Sequence, residues 1–172
     1  MKSLLIIDML YDFIKPEGVL YCGKEAEKII PEISKLKVEF RKEKLPVIYL
    51  CDSHEVEDEE FSLFPPHCLK GTKGAQIIKE LAPEKEDLII YKTKFSGFYQ
   101  TELEKILKEL KVTELYLTGV CTSICVMDTA KDAFYRGFKI VIPVRAVADF
   151  DEEFHRFSLK RMEKIYGAKL LF

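Results

Sequence analysis

The chain contains no tryptophan and no asparagine, and only two glutamines, Gln76 and Gln100. Scarce amides beside abundant Lys and Glu suit a protein of a thermophile, where amide side chains are chemical liabilities and ion-pair networks help. That bias carries no information about activity. Nowhere does an apolar run approach the roughly 20 residues needed to span a bilayer, so no membrane-spanning helix is expected. The first apolar stretch, Leu4 to Ile7, is too short for a signal core and runs straight into Asp8, so the chain reads as cytoplasmic. An excess of one charge is also missing. Lys and Arg total 27 against 29 Asp and Glu, a formal charge of −2, which gives no electrostatic reason to expect nucleic acid or anionic membrane as a partner. The five cysteines (22, 51, 68, 121 and 125) are an odd number without an export signal, and read as thiols rather than as a disulfide framework.

What is present is regular alternation. Ser3–Ile7, Pro46–Cys51, Asp87–Tyr91, Glu114–Thr118, Lys139–Pro143 and Lys169–Phe172 are short apolar runs that read as buried strands. Between them the spacing predicts helices over Lys24–Lys44, with Pro31 as a kink or second start, and over Ala75–Leu81, Thr101–Leu110, Ser123–Tyr135 and Glu152–Tyr166. Strict alternation of this kind predicts one α/β domain of three layers around a six-stranded, mainly parallel sheet. At 172 residues the chain is long enough for one well-buried domain and short for two.

Such sheets bind ligands beyond the carboxyl ends of their strands. Asp8 follows the first strand, Asp52 the second and Lys92 the third, and Cys121 and Cys125 follow the fourth. Asp52, His54 and His67 offer one carboxylate and two imidazoles, a donor set for a first-row metal that leaves a coordination position open. Cys125 falls near the start of a helix with Thr122 as its expected N-cap, where exposed N–H groups favour a thiolate. Asp8 is placed to act as its base if burial raises its pKa, and Lys92 to supply positive charge. Three plainer readings compete with these. They are a solvated acidic loop around Glu55, Glu57, Asp58, Glu59 and Glu60, a structural Asp8–Lys92 ion pair, and a redox Cys121/Cys125 pair that lacks the usual two-residue spacing.

Taken together, these residues resemble the isochorismatase-like cysteine hydrolases, and among them the nicotinamidase/pyrazinamidase branch. The matching pieces run from Ile6 to Phe13, Asp52 to His54, Phe64 to Thr72, Lys92 to Phe98 and Thr118 to Val126, in family order over essentially the whole chain. The resemblance implies a Rossmann-like hydrolase domain over residues 1–172 and an Asp-Lys-Cys triad on Asp8, Lys92 and Cys125. It implies metal ligands at Asp52, His54 and His67, with Glu60 as a candidate fourth. It also implies a non-proline cis peptide at Val120–Cys121 and an oxyanion site made by the N–H groups of Cys121 and Cys125. The implied reaction is nicotinamide plus water to nicotinate plus ammonia, through a thioester on Cys125. One divalent ion is implied, zinc first and manganese or iron otherwise, with a small amide as substrate and a homo-oligomer as assembly.

Phe13, Phe64 and Phe95 are either a slot for a flat ring or ordinary core. The chain carries Leu10 where the family often has Gln, and Cys121 where it often has Ala. Its loop Val144–Asp149 also departs from the commonest pattern, which leaves a related hydrolase of another amide, an ester or isochorismate as the neighbouring alternative. A nucleotide-binding oxidoreductase would need a glycine-rich turn where Met9-Leu10-Tyr11 stands. A non-enzymatic metal or redox protein would have no need of Asp8 and Lys92 beside the thiol.

Overall fold

A computed structural model describes residues 1–172. The strands are β1 (Lys2–Ile7), β2 (Val47–Asp52), β3 (Leu88–Lys92), β4 (Glu114–Val120), β5 (Lys139–Pro143), β6 (Val147–Ala148) and β7 (Lys169–Leu171). The helices are α1 (Tyr11–Ile14), α2 (Lys24–Lys28), α3 (Ile30–Lys42), α4 (Leu103–Glu109), α5 (Met127–Tyr135) and α6 (Glu152–Tyr166). All strand pairings are parallel, in the order β3-β2-β1-β4-β5-β7, with the two-residue β6 added beside the end of β4. The six expected strands are therefore joined by one too short to show in the sequence. No helix is long and apolar enough to cross a membrane.

The continuous apolar runs follow from burial on both faces of the sheet. Leu5 and Ile7 of β1 face a core shared with α4, α5 and α6, while Leu4 and Ile6 face a second core under α3. The chain leaves β1 toward β2 and β3, then returns to β4 on the other side of β1, which opens a crevice between the carboxyl ends of β1 and β4. At that edge β1 and β4 approach very closely. Gly119 has φ +106°, and a Cβ there would lie 1.9 Å from the carbonyl oxygen of Ile7. Gly119→Ala is accordingly expected to cost roughly 2–4 kcal/mol, read as a lower urea midpoint, because both the backbone angle and the strand spacing must change.

Two local expectations are corrected. Ala75–Leu81 is not a helix but an extended stretch between single 3-10 turns at Lys73–Ala75 and Lys79–Leu81. Its backbone pairs with the segment after β1, through Tyr11 N–H to Gln76 O at 2.9 Å and Ile78 N–H to Met9 O at 3.1 Å. A run this short gains little from helix formation, so tertiary hydrogen bonds decide its shape. Lys24–Lys44 divides into α2 and α3 at Ile29, with Pro31 in the first turn of the second helix.

Candidate active site

Asp52 and Lys92 end adjacent strands and are register partners. Asp8 is the first residue beyond β1, with φ +52°. Cys125 comes from β4 by way of a cis peptide at Val120–Cys121 and a π-helical turn over Thr122–Val126 that leads into α5. The three meet. The Lys92 ammonium lies 2.8 Å from Asp8 Oδ2 and 3.6 Å from Cys125 Sγ, and also bonds Asp52 Oδ1. Donor atoms of Asp8, Asp52 and Cys125 all lie within 4.8 Å of one another. Asp8 Oδ1 accepts the N–H of Asp52 at 2.9 Å, while Oδ2 faces the Lys92 ammonium.

Electrostatics assign the resting protons. Burial pushes the Cys125 thiol well above its ordinary pKa, with only the Lys92 charge opposing, so the sulfur rests as a neutral thiol. Burial, reinforced by the Asp52 charge and opposed by Lys92, pushes Asp8 up to about 6. Burial alone would discharge Lys92, but the Asp52 and Asp8 carboxylates outweigh it and hold the ammonium protonated. A neutral thiol beside a carboxylate of nearly neutral pKa is an acid–base pair.

Beside this group lies a second one. Asp52, His54 and His67 are all buried, and their donor atoms fall within 4.8 Å of one another, which overturns the solvated-loop alternative. His67 Nδ1 lies 2.8 Å from the carbonyl oxygen of Pro65, and His54 Nδ1 lies 3.0 Å from Asp58 Oδ2. Both partners accept, so each Nδ1 carries the proton and a neutral ring turns its Nε2 lone pair inward. His54 Nε2 has no hydrogen-bond partner although it is buried. Burial opposes charging of His54, yet the Asp52 and Asp58 carboxylates on either side of its ring push it up to about 9, and the field that favours a proton there favours a divalent cation too. Glu60 Oε1 lies 3.6 Å from His67 Nε2, at the edge of the cluster. The residues present therefore fit a cation held by two imidazoles and a carboxylate.

A cavity of about 450 Å³ opens over both groups. Phe13, Phe64 and Phe95 line it, together with Val19, Tyr21, Cys22, Glu60, Ile124 and Phe150. Phe13 and Phe64 also stand against the His67 ring, at centroid distances of 5.6 and 6.4 Å. The N–H of Cys121 finds no acceptor within the protein. Thr122 is not an N-cap. Its hydroxyl pairs with His155 Nδ1 at 2.9 Å, and the turn is held instead by Asp149, which accepts the Ser123 N–H at 2.6 Å. Cys121 sits 3.3 Å from Cys22 Sγ, so the thiol it meets is not the Cys125 of the competing redox-pair reading.

Sequence reasoning missed three further side chains. Asp58 orients His54, and its position four residues on was the available signal. Phe61 packs against both imidazoles at 5.5 Å. Asp12 accepts the N–H groups of Cys68 at 2.8 Å and Val19 at 3.3 Å, which ties the metal-side loop to the pocket wall.

Comparison with known proteins gives a consistent picture. A family model described as an isochorismatase domain matches residues 2–170. An uncharacterized isochorismatase family protein, PncA of Bacillus subtilis, is 40% identical over 98% of each chain. The crystal structure of nicotinamidase/pyrazinamidase PncA from Bacillus subtilis superposes with a TM-score of 0.95 at 38% identity, covering 99% of both chains. The pyrazinamidase of Pyrococcus horikoshii in complex with zinc gives 0.93 at 30% identity, covering 99% of this chain and 98% of that one.

Proposed function

Because this chain belongs to the isochorismatase family of hydrolases, we propose that its residues 1–172 form a metal-assisted cysteine amidohydrolase. Its substrate is a flat heteroaromatic carboxamide, nicotinamide foremost. One observation carries the reading: Asp8 and Cys125 stand together on the floor of an aromatic-walled cavity, with the Lys92 ammonium buried against both, beside the Asp52-His54-His67 cluster.

Asp8 takes the thiol proton of Cys125, and the Lys92 ammonium stabilises the sulfur anion that forms. The sulfur bonds to the amide carbon, and the N–H groups of Cys121 and Cys125 receive the carbonyl oxygen as it gains charge. Asp8 returns the proton to the nitrogen as the C–N bond breaks, so ammonia leaves and a thioester remains on Cys125. Water then attacks the thioester with Asp8 again as base, releasing the carboxylic acid and restoring the thiol. Asp52, His54 and His67, joined by Glu60, would hold a divalent ion, zinc first and manganese or iron otherwise. That ion would supply a Lewis-acid seat for the ring nitrogen of the substrate. Phe13, Phe64 and Phe95 bound a slot for the ring, and the cavity volume suits a ligand of that size.

The test is ammonia release from nicotinamide, pyrazinamide and several non-aromatic amides, with and without a chelator. Selective turnover of the aromatic amides is expected, falling at least about tenfold on chelation and recovering with added zinc. Turnover confined to non-aromatic amides, or no ammonia release beside pyruvate release from isochorismate in a parallel assay, would move the assignment to another branch of the family. Asp58 is a positioning residue in this scheme. Asp58→Ala is expected to weaken zinc binding by about 10–100-fold, measured by competition with a chromophoric chelator, because His54 loses the acceptor that fixes its ring.

A further inference from the structure

Helix α6 carries more apolar surface than its own fold consumes. Ser158, Leu159, Met162 and Tyr166 pack inward. A second stripe on a neighbouring face, Phe154, Phe157, Arg161 and Ile165, recurs every three or four residues. Phe154, Phe157 and Ile165 are 52, 60 and 57% exposed. The stripe begins one turn earlier at Phe150, which sets its ring edge-on against Phe154, 6.1 Å between centroids, and also lines the rim of the pocket. Phe150, Phe154, Phe157 and Ile165, each more than half exposed, leave roughly 400 Å² of apolar surface bare on this one face, about half of the ~800 Å² that each partner buries in a standard interface.

We propose that this face binds a second copy of the chain, with the two α6 helices antiparallel across a two-fold axis. Charge selects that occupant. Asp151, Glu152 and Glu153 stand at the start of the helix, and Arg156, Lys160, Arg161 and Lys164 follow, with Glu163 the one acid among them. A copy laid antiparallel meets opposite charge at both ends, whereas a parallel copy meets like charge. A two-fold contact also repeats every pair twice.

Placing the axis between Phe157 and Arg161 gives one register that satisfies the whole stripe. Phe154 meets the partner's Ile165, Phe157 lies under the guanidinium of the partner's Arg161, and Glu153 stands beside the partner's Lys164. Glu153 and Lys164 lie on the same shoulder of the stripe, as a two-fold pair requires, and Glu153 has no ion-pair partner in its own chain. The second copy then covers the outer edge of Phe150 and walls the pocket mouth.

Sedimentation velocity over a concentration series of the full chain tests this. The wild type is expected to be a dimer at micromolar concentration. Phe157→Glu is expected to give a monomer with unchanged far-UV circular dichroism, because the position is exposed in the single chain. Glu153→Lys and Lys164→Glu should each weaken self-association by about tenfold or more, and the double reversal E153K/K164E should recover most of it. That recovery is something misfolding would not produce. A wild type still monomeric at roughly 100 µM would overturn the proposal. So would a dimer indifferent to Phe157→Glu, or a double reversal no better than the single ones.

Discussion

Cys125→Ala is expected to reduce nicotinamide hydrolysis by at least about a thousandfold while zinc binding and the folded state survive. Cys125 is the one thiol that combines an ammonium at 3.6 Å with a carboxylate inside 4.8 Å. Burial pushes Cys51 and Cys68 up as well, but neither lines the cavity. Cys121 is engaged with Cys22. Removing one sulfur atom from a well-packed site costs little stability, about 1 kcal/mol, so a loss of that size in rate cannot be ascribed to unfolding. The metal-side residues take none of their partners from Cys125, which separates the two functions. Ammonia release and a zinc-competition assay on the same preparation check both halves. A residual rate within about tenfold of wild type would mean that water attacks the amide directly, without a covalent intermediate. A mass increment equal to the acyl group, trapped on wild type by acid quench and missing from the variant, would identify the thioester.

The parts of this site legible in the sequence are those tied to strand ends. Asp8, Asp52 and Lys92 each follow or finish an apolar run, and parallel strands deliver their carboxyl ends to one edge whatever the loops do. The imidazoles were legible by type, since His54 and His67 are two of only three histidines. What escaped is what depends on how loops fold back. The Cys22–Cys121 contact joins residues 99 apart, and no spacing rule reaches it. The extended pairing of Ile77 with Leu10 overrode a plausible helical pattern. The π-helical turn at Thr122–Val126 replaced an ordinary helix start because Asp149 and His155, from the loop before α6 and from α6 itself, hold its backbone and its threonine. The one unanticipated strand, β6, is two residues long, below the length at which alternation can be recognised.

Lys92→Met is expected to lower both activity and stability, and the two losses share one cause. The ammonium is inaccessible to solvent and touches two carboxylates and the thiol. Methionine nearly matches its volume but leaves Asp8 and Asp52 buried side by side without a counter-charge, a change that typically costs about 3–5 kcal/mol. Asp8 already sits at about 6 through burial and the Asp52 charge, and losing Lys92 drives it further up. At neutral pH the variant's Asp8 is then protonated and cannot serve as base, so hydrolysis fails even in the fraction that folds. The pH dependence separates this from lost packing. A carboxyl whose folded-state pKa lies above its unfolded value binds a proton on folding between the two, so stability rises as pH falls through that window. The penalty in the metal-free variant, relative to metal-free wild type, is therefore greatest above the folded pKa of Asp8 and shrinks as acid is added. Urea titrations at about pH 8 and about pH 5 measure it. An equal penalty at both values would mean that the lysine acts through its shape rather than its charge.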